Sequence, residues 1–157
     1  MLVLKSIFFA LLLPGVVTVV IPYYVLSTRI SVPQWGPLQI AGLAATMLGG
    51  AVLIRCIVDF ARLGRGTLAP LDPPRALVIR GLYRYVRNPM YVGVLGVLLG
   101  ETALFQSSDL LLYTAVWFLF VNLFVIFYEE PALRARFGES YEQYRRAVGR
   151  WIPRRIK

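Results

Sequence analysis

The stretch Arg80–Glu101 is RGLYRYVRNPMYVGVLGVLLGE. Its first twelve residues hold three arginines and three tyrosines; after Asn88-Pro89 the chain turns almost wholly apolar. Asn88 suits an N-cap and Pro89 suits the first helical turn, where a missing backbone donor costs nothing. The stretch therefore predicts a helix beginning at Pro89, its positive dipole end turned toward a basic and aromatic rim. A segment that only set orientation would need the charges and not the tyrosines. The expectation is that it forms one wall of a site at a membrane surface.

Composition supports the membrane setting. The 157 residues are 58% hydrophobic and 16% charged, with a mean hydropathy of +0.66; soluble domains carry about 25% charged residues. The net charge is +9. Seven of the seventeen Lys and Arg lie between Arg55 and Arg87 and eight between Arg134 and Lys157, each cluster against an apolar run. That is the pattern of positive-inside topology, so nucleic acid is not an expected partner. With no histidine and one cysteine, Cys56, there is no intramolecular disulfide, no Cys/His zinc site and no histidine-based triad; no metal is expected. Cys56, inside an apolar run, reads as a buried structural thiol.

Four apolar segments follow one another: Leu2–Leu26, Leu38–Ala61, Met90–Phe105 and Leu110–Tyr128. Runs of this length without alternation are helices. The first reads as a retained helix rather than a cleaved leader, bent by Pro14 and Pro22. The fold class is thus all-α: a single domain over 1–157, a polytopic bundle of about four transmembrane helices plus a C-terminal amphipathic helix. The first connection carries only Arg29 and the third only Asp109, whereas the Arg55–Arg87 loop and the tail carry fifteen positive charges. Both termini are therefore expected on the cytoplasmic side.

Small residues form stripes: Gly42, Thr46 and Gly50 on the second segment, Gly93, Gly96 and Gly100 on the third. Close helix packing suffices for the second. Because the third stripe begins at the basic-aromatic motif, Gly93 and Gly96 are candidates for backbone lying against a bound molecule. The loop LGRGTLAPLDPPR is irregular in character. In the tail, Leu133, Phe137, Tyr141, Tyr144 and Val148 fall on one helical face. The expectation is an interfacial or docked amphipathic helix, with Trp151 anchoring at the headgroups.

A short turn makes the third and fourth segments an antiparallel hairpin with spans of ~24 and ~28 Å, so their cytoplasmic ends meet. One end brings Tyr83, Arg84, Arg87, Asn88 and Tyr91; the other brings Tyr128, Glu129 and Glu130. The two carboxylates either pair with loop arginines or bind something carrying donors or positive charge. S-adenosylmethionine fits that inventory, although composition alone does not single it out. Glu129 or Glu130 suits its hydroxyls or amine, Arg87 its carboxylate, and Tyr83, Tyr91 or Tyr128 its adenine or sulfonium.

At these residues the chain resembles the integral-membrane methyltransferases that include isoprenylcysteine carboxyl methyltransferases and phosphatidylethanolamine N-methyltransferases. The matching stretches are GLYRYVRNPMYVG and YEEPALRARFGESYEQYRRAVGRWIP. The isoprenylcysteine branch usually has Arg-His-Pro-x-Tyr followed by Gly; here Arg87-Asn88-Pro89-Met90-Tyr91 precedes Gly93, a version closer to the phosphatidylethanolamine branch. The Glu-Glu pair matches the family's other cofactor motif, and the FG-x-x-Y-x-x-Y tail is similar to the isoprenylcysteine branch and its prokaryotic relatives.

The resemblance covers roughly 66–153, with the site over 75–153. It implies S-adenosylmethionine as cofactor at the cytoplasmic face, held by Tyr83, Arg87, Asn88, Tyr91, Gly93, Gly96, Glu129 and Glu130. Arg87 and Glu130 are the catalytic candidates. It also implies a lipophilic substrate, a carboxylate or an amine, arriving from the bilayer, and a bacterial inner membrane. The alternatives are a non-enzymatic scaffold and a lipid-binding protein. Glu101, an intramembrane carboxyl near the outer surface, is expected to bond to a neighbouring helix.

Overall fold

A computed structural model of the chain describes residues 12–27, 35–63, 77 and 79–154. The start of the first apolar segment, Arg29, most of the Pro-rich loop, and Arg155 to Lys157 lie outside the described residues. Every regular element described is helical: α1 (Leu12–Ser27), α2 (Pro37–Leu63), a 3-10 turn (Gly81–Arg84), α3 (Pro89–Phe105), α4 (Ser108–Phe124), α5 (Glu130–Phe137) and α6 (Glu139–Ala147). Among the described residues two stretches are long and apolar enough to cross a membrane, Pro37–Asp59 and Ser108–Phe137; Leu12–Ser27 and Pro89–Phe105 are apolar but shorter.

The proline bends take a specific form. A π-turn, Val16–Val20, precedes Pro22, with the Ile21 amide reaching back to the Val16 carbonyl. Pro22 has no amide to offer, so this arrangement leaves the Val17 carbonyl to the Tyr113 hydroxyl of α4, which donates to it at 3.0 Å. The same device precedes Pro131: π-turn Val125–Glu129 joins α4 to α5, with the Glu130 amide on the Val125 carbonyl. The fourth helix therefore does not end at Tyr128. Glu129 and Glu130 lie within a continuing helix, so they do not oppose the negative end of its dipole.

α2 and α3 form the tightest pair. A Cβ on Gly42 would come within 2.6 Å of the Leu104 amide nitrogen, and one on Gly49 within 2.6 Å of that of Val97. Only hydrogen fits at such an approach. Gly50, placed in the stripe by its spacing, instead has open space beyond it. Leu53, Val94, Val97 and Leu98 make the core under this seam, packed by Val17, Tyr113 and Trp117. Gln106 closes α3 in a left-handed conformation (φ 48°), and the Ser107 hydroxyl caps α4 by accepting from the Leu110 amide at 3.2 Å. This is the expected tight hairpin.

The tail is two helices rather than one. Gly138 breaks it at φ +52°. The anticipated apolar face survives the break: Tyr141, Tyr144 and Val148 are buried together, with Leu77, Leu133 and Phe137 against them. Arg134 and Arg145 both pair with Glu142 across this corner. The Oε2 of Glu101 is buried with no hydrogen-bond partner among the described residues. Cys56 is buried, as its apolar surroundings require.

Candidate active site

The rim is built by two stretches that run side by side. Gly81 starts the 3-10 turn at φ +57°, against the Asp59 carboxylate at the end of α2, where a side chain would collide. Val86 then pairs with Gly149 in an isolated parallel bridge, the Arg87 amide donating to the Gly149 carbonyl at 2.9 Å. The Arg154 amide donates to the Tyr85 carbonyl at 3.0 Å, and the Tyr144 hydroxyl to the Tyr83 carbonyl at 2.7 Å. Asn88 sits at the N-cap position of α3 but does not cap it; its Nδ2 donates to the Arg150 carbonyl at 3.3 Å. Residues 148–154 thus strap the motif loop to the bundle.

The two carboxylates have different fates. Glu130 is buried, at 7% exposure, between two guanidinium groups. Arg150 holds it in a fork, Nε to Oε1 at 2.6 Å and Nη2 to Oε2 at 2.9 Å, and Arg87 Nη1 lies 3.1 Å from Oε1. The fork holds the Arg150 pKa above its ordinary range. Pairing with arginine is therefore what Glu130 does, and one partner comes from the tail rather than the loop. Among the described residues Glu129 has no arginine; it accepts from the Tyr91 hydroxyl at 3.3 Å. Glu130 is thus committed to two cations and Glu129 to a phenol.

Arg87 bridges the carboxylate and the tail. Its Nη1 donates to the Tyr141 hydroxyl at 3.2 Å, while its Nε is buried with no partner among the described residues. An unused guanidinium donor at such depth is costly unless something else meets it. Burial raises the phenol pKa of Tyr83 first, and neighbouring Cys56, Glu129, Tyr144 and Tyr91 raise it further. It stays a neutral donor. Burial likewise raises Tyr144 and Tyr141.

Tyr83, Arg87, Asn88, Tyr91, Glu129 and Glu130 thus come together as the spacing anticipates. Others do not. Tyr128 is exposed and stacks on Phe124 with ring centroids 5.1 Å apart, and Arg84 is exposed. Gly93 and Gly96 face α2: a Cβ on either would meet Gly49 or Leu53. The stripe seats a helix, which takes the backbone surface anticipated for a bound molecule. Sequence reasoning missed Arg150, Tyr141 and Asn122 as members of the cluster. Tyr141 carried a signal only as an apolar-face residue, and Asn122 is an isolated amide in an apolar helix. Trp151 was expected at the headgroups; its Nε1 instead donates to Asn122 Oδ1 at 2.9 Å.

The sequence model of the phospholipid methyltransferase family matches residues 38–140. A protein-S-isoprenylcysteine O-methyltransferase of Schizosaccharomyces pombe is 43% identical over 79 residues, 49% of this chain and 33% of that protein. An uncharacterized protein of Haemophilus influenzae is 35% identical over 63 residues, 40% of this chain and 100% of that protein. The chain therefore spans about a third of the first relative and the whole of the second. No solved structure matches the chain.

Proposed function

The chain belongs to the phospholipid methyltransferase family, and on that premise we propose that it transfers a methyl group from S-adenosylmethionine to a lipophilic acceptor reached through the bilayer. The observation that carries the reading is the contrast at the rim. Among the described residues Glu129 accepts from the Tyr91 hydroxyl and has no arginine, while its chain neighbour Glu130 holds Arg87, whose buried Nε has no partner there. The rim thus offers both an acceptor for positive charge and hydroxyl donors and a donor for a carboxylate, which is the set that S-adenosylmethionine calls for. Arg87, Glu129, Tyr83 and Tyr91 are the residues that would hold it.

S-adenosylmethionine supplies a methyl group already activated on a sulfonium. The chain need supply only alignment, charge balance and exclusion of water. Glu130 and Arg150 fix the Arg87 guanidinium through the shared oxygen Oε1. The neutral phenols of Tyr83 and Tyr144 wall the site without competing charge. For an amine acceptor, Glu129 is the group available to take the proton; for a carboxylate acceptor none is required.

We place the site at the cytoplasmic face, with four spans and both termini cytoplasmic, supported by the fifteen positive charges of the loop and tail. Among the described residues two helices are long and apolar enough to span, and two more are apolar but shorter. The test incubates membranes containing the protein with radiolabelled S-adenosylmethionine and fractionates the lipids. Label in a lipid fraction, lost on Glu129→Gln, is the expected result; label in no fraction, with no S-adenosylmethionine binding by calorimetry, refutes the reading.

A further inference from the structure

Of the groups gathered at the rim, the strap reaches Arg87, Asn88, Glu130 and Tyr91. The Gly149 carbonyl accepts from the Arg87 amide, the Arg150 carbonyl accepts from Asn88 Nδ2, and the Arg150 guanidinium forks onto Glu130. The Trp151 ring stands 6.3 Å from that of Tyr91, centroid to centroid. The groups lie beneath these contacts: Asn88 and Glu130 are buried, and so is Arg87 Nε. A molecule the size of a nucleoside reaches them only when a covering element moves.

The helices and the strap differ as covers. α2 and α3 carry their own hydrogen-bond ladders and meet along a seam of backbone contacts, so displacing either one opens the core. α6 ends at Ala147, and Val148, extended and buried, fixes the near end of the strap. Residues 149–154 beyond it form no helix. Their far end is held by two bonds that involve no group assigned to the cofactor. Trp151 Nε1 donates to Asn122 Oδ1 at 2.9 Å, and the Arg154 amide donates to the Tyr85 carbonyl at 3.0 Å. Ile152 is 78% exposed and Pro153 is exposed too. The indole apart, lifting this end uncovers no buried apolar side chain. Segments with few buried apolar contacts are the ones that open locally.

We propose that residues 149–154 are a latch over the cofactor site, hinged at Val148–Gly149, whose opening admits S-adenosylmethionine and releases the spent cofactor. The proposal rests on the methyl-transfer reading above. Each methyl transfer consumes one cofactor molecule, so the latch must open in every cycle. Gating makes a specific kinetic demand. Cofactor enters and leaves only through the open state, so the association and dissociation rates both scale with the population of that state. A strap that only shapes the site would change dissociation, and with it Kd, while association stayed as it was.

The test follows radiolabelled S-adenosylmethionine on the purified chain in phosphatidylcholine nanodiscs, association by rapid filtration and dissociation by a chase with unlabelled cofactor. No acceptor is added. Arg154→Pro removes the backbone donor to Tyr85, and Asn122→Ala removes the acceptor for the indole. Each should raise kon and koff together by at least ~3-fold, the scale of one net hydrogen bond. Kd should change less than ~2-fold, because both rates pass through the same open state. The double variant should raise both rates at least ~10-fold, since the two bonds share no partner. Glu129→Gln, which alters a contact of the cofactor itself, should raise koff and leave kon near wild type. Should one single variant fail to fold, the other decides alone. A raised koff with unchanged kon in the latch variants, or both rates at their wild-type values, would overturn the latch. A wild type that does not bind S-adenosylmethionine overturns the methyl-transfer reading itself, and this inference with it.

Discussion

Arg150 grips both oxygens of Glu130, at 2.6 and 2.9 Å, across twenty residues of chain, while Arg87 approaches the same carboxylate to 3.1 Å. Glu130 is therefore the electrostatic joint between the tail and the motif loop. Removing one member of a buried pair leaves the other uncompensated. Glu130→Gln should destabilise the protein by about 1–3 kcal/mol, less than a fully buried pair because Arg150 is partly exposed. Thermal unfolding in detergent reads this; a melting temperature equal to wild type would show that the fork contributes nothing.

Glu129 should behave in the opposite way. Among the described residues it has a phenol for partner and no cation, so Glu129→Gln should leave the melting temperature near wild type. Its cost should appear in S-adenosylmethionine affinity, about 1–3 kcal/mol, the scale of a charge-assisted hydrogen bond. Calorimetry on the two glutamine variants side by side separates the roles. Loss of affinity in Glu130→Gln alone would reverse the assignment.

Arg87 and Tyr91 test the quoted stretch. If Arg80–Glu101 only sets topology, lysine replaces arginine freely, since topology responds to charge. If the guanidinium both binds Glu130 and presents Nε, lysine cannot do both, because it lacks the planar fork. Arg87→Lys and Tyr91→Ala should each lower methyl transfer at least ~10-fold, equal to ~1.4 kcal/mol of transition-state stabilisation. Arg146→Lys, on the exposed face of α6, should change little. Wild-type rates for both site variants would place the site elsewhere.

Much of this arrangement was legible in the sequence, and the reasons are local. The helix start at Pro89, the tight hairpin and the buried face of Tyr141, Tyr144 and Val148 each follow from chemistry within a few residues. The convergence of Tyr91 with Glu129 follows from hairpin geometry. What stayed hidden depends on contacts remote in sequence. Nothing in GRWIP says that Arg150 will find Glu130 or that the Trp151 indole will turn inward to Asn122. The π-turns before Pro22 and Pro131 change the helical phase, so spacing alone could not assign Glu129 and Glu130 their separate partners.

Topology follows from charge. A reporter fused after Lys157 should be cytoplasmic, and one placed in the Gln106–Ser107 turn should be on the opposite side, because fifteen positive charges flank one set of helix ends. Both reporters on the same side would reduce the number of crossings between them and break the hairpin interpretation.

The helix seam supplies the last expectation, and it distinguishes two adjacent glycines. Spacing from Gly42 and Thr46 points to Gly50 as the seam residue, yet Gly49 is the one in contact. A Cβ on Gly49 would stand 2.6 Å from the Val97 nitrogen and 2.7 Å from the Gly93 carbonyl oxygen, both backbone atoms that cannot turn away. Gly49→Ala must therefore push α2 and α3 apart, at a cost of about 1–3 kcal/mol for overpacking. Gly50→Ala meets nothing within 4 Å and gains helix propensity, so it should be neutral or stabilising by up to ~1 kcal/mol. Because α3 carries Arg87 and Tyr91 at its entrance, the displacement should also lower methyl transfer in Gly49→Ala and not in Gly50→Ala. Thermal unfolding and initial rates on the two alanine variants decide it: equal behaviour, or the larger loss at Gly50, would place the seam on the other face of α2.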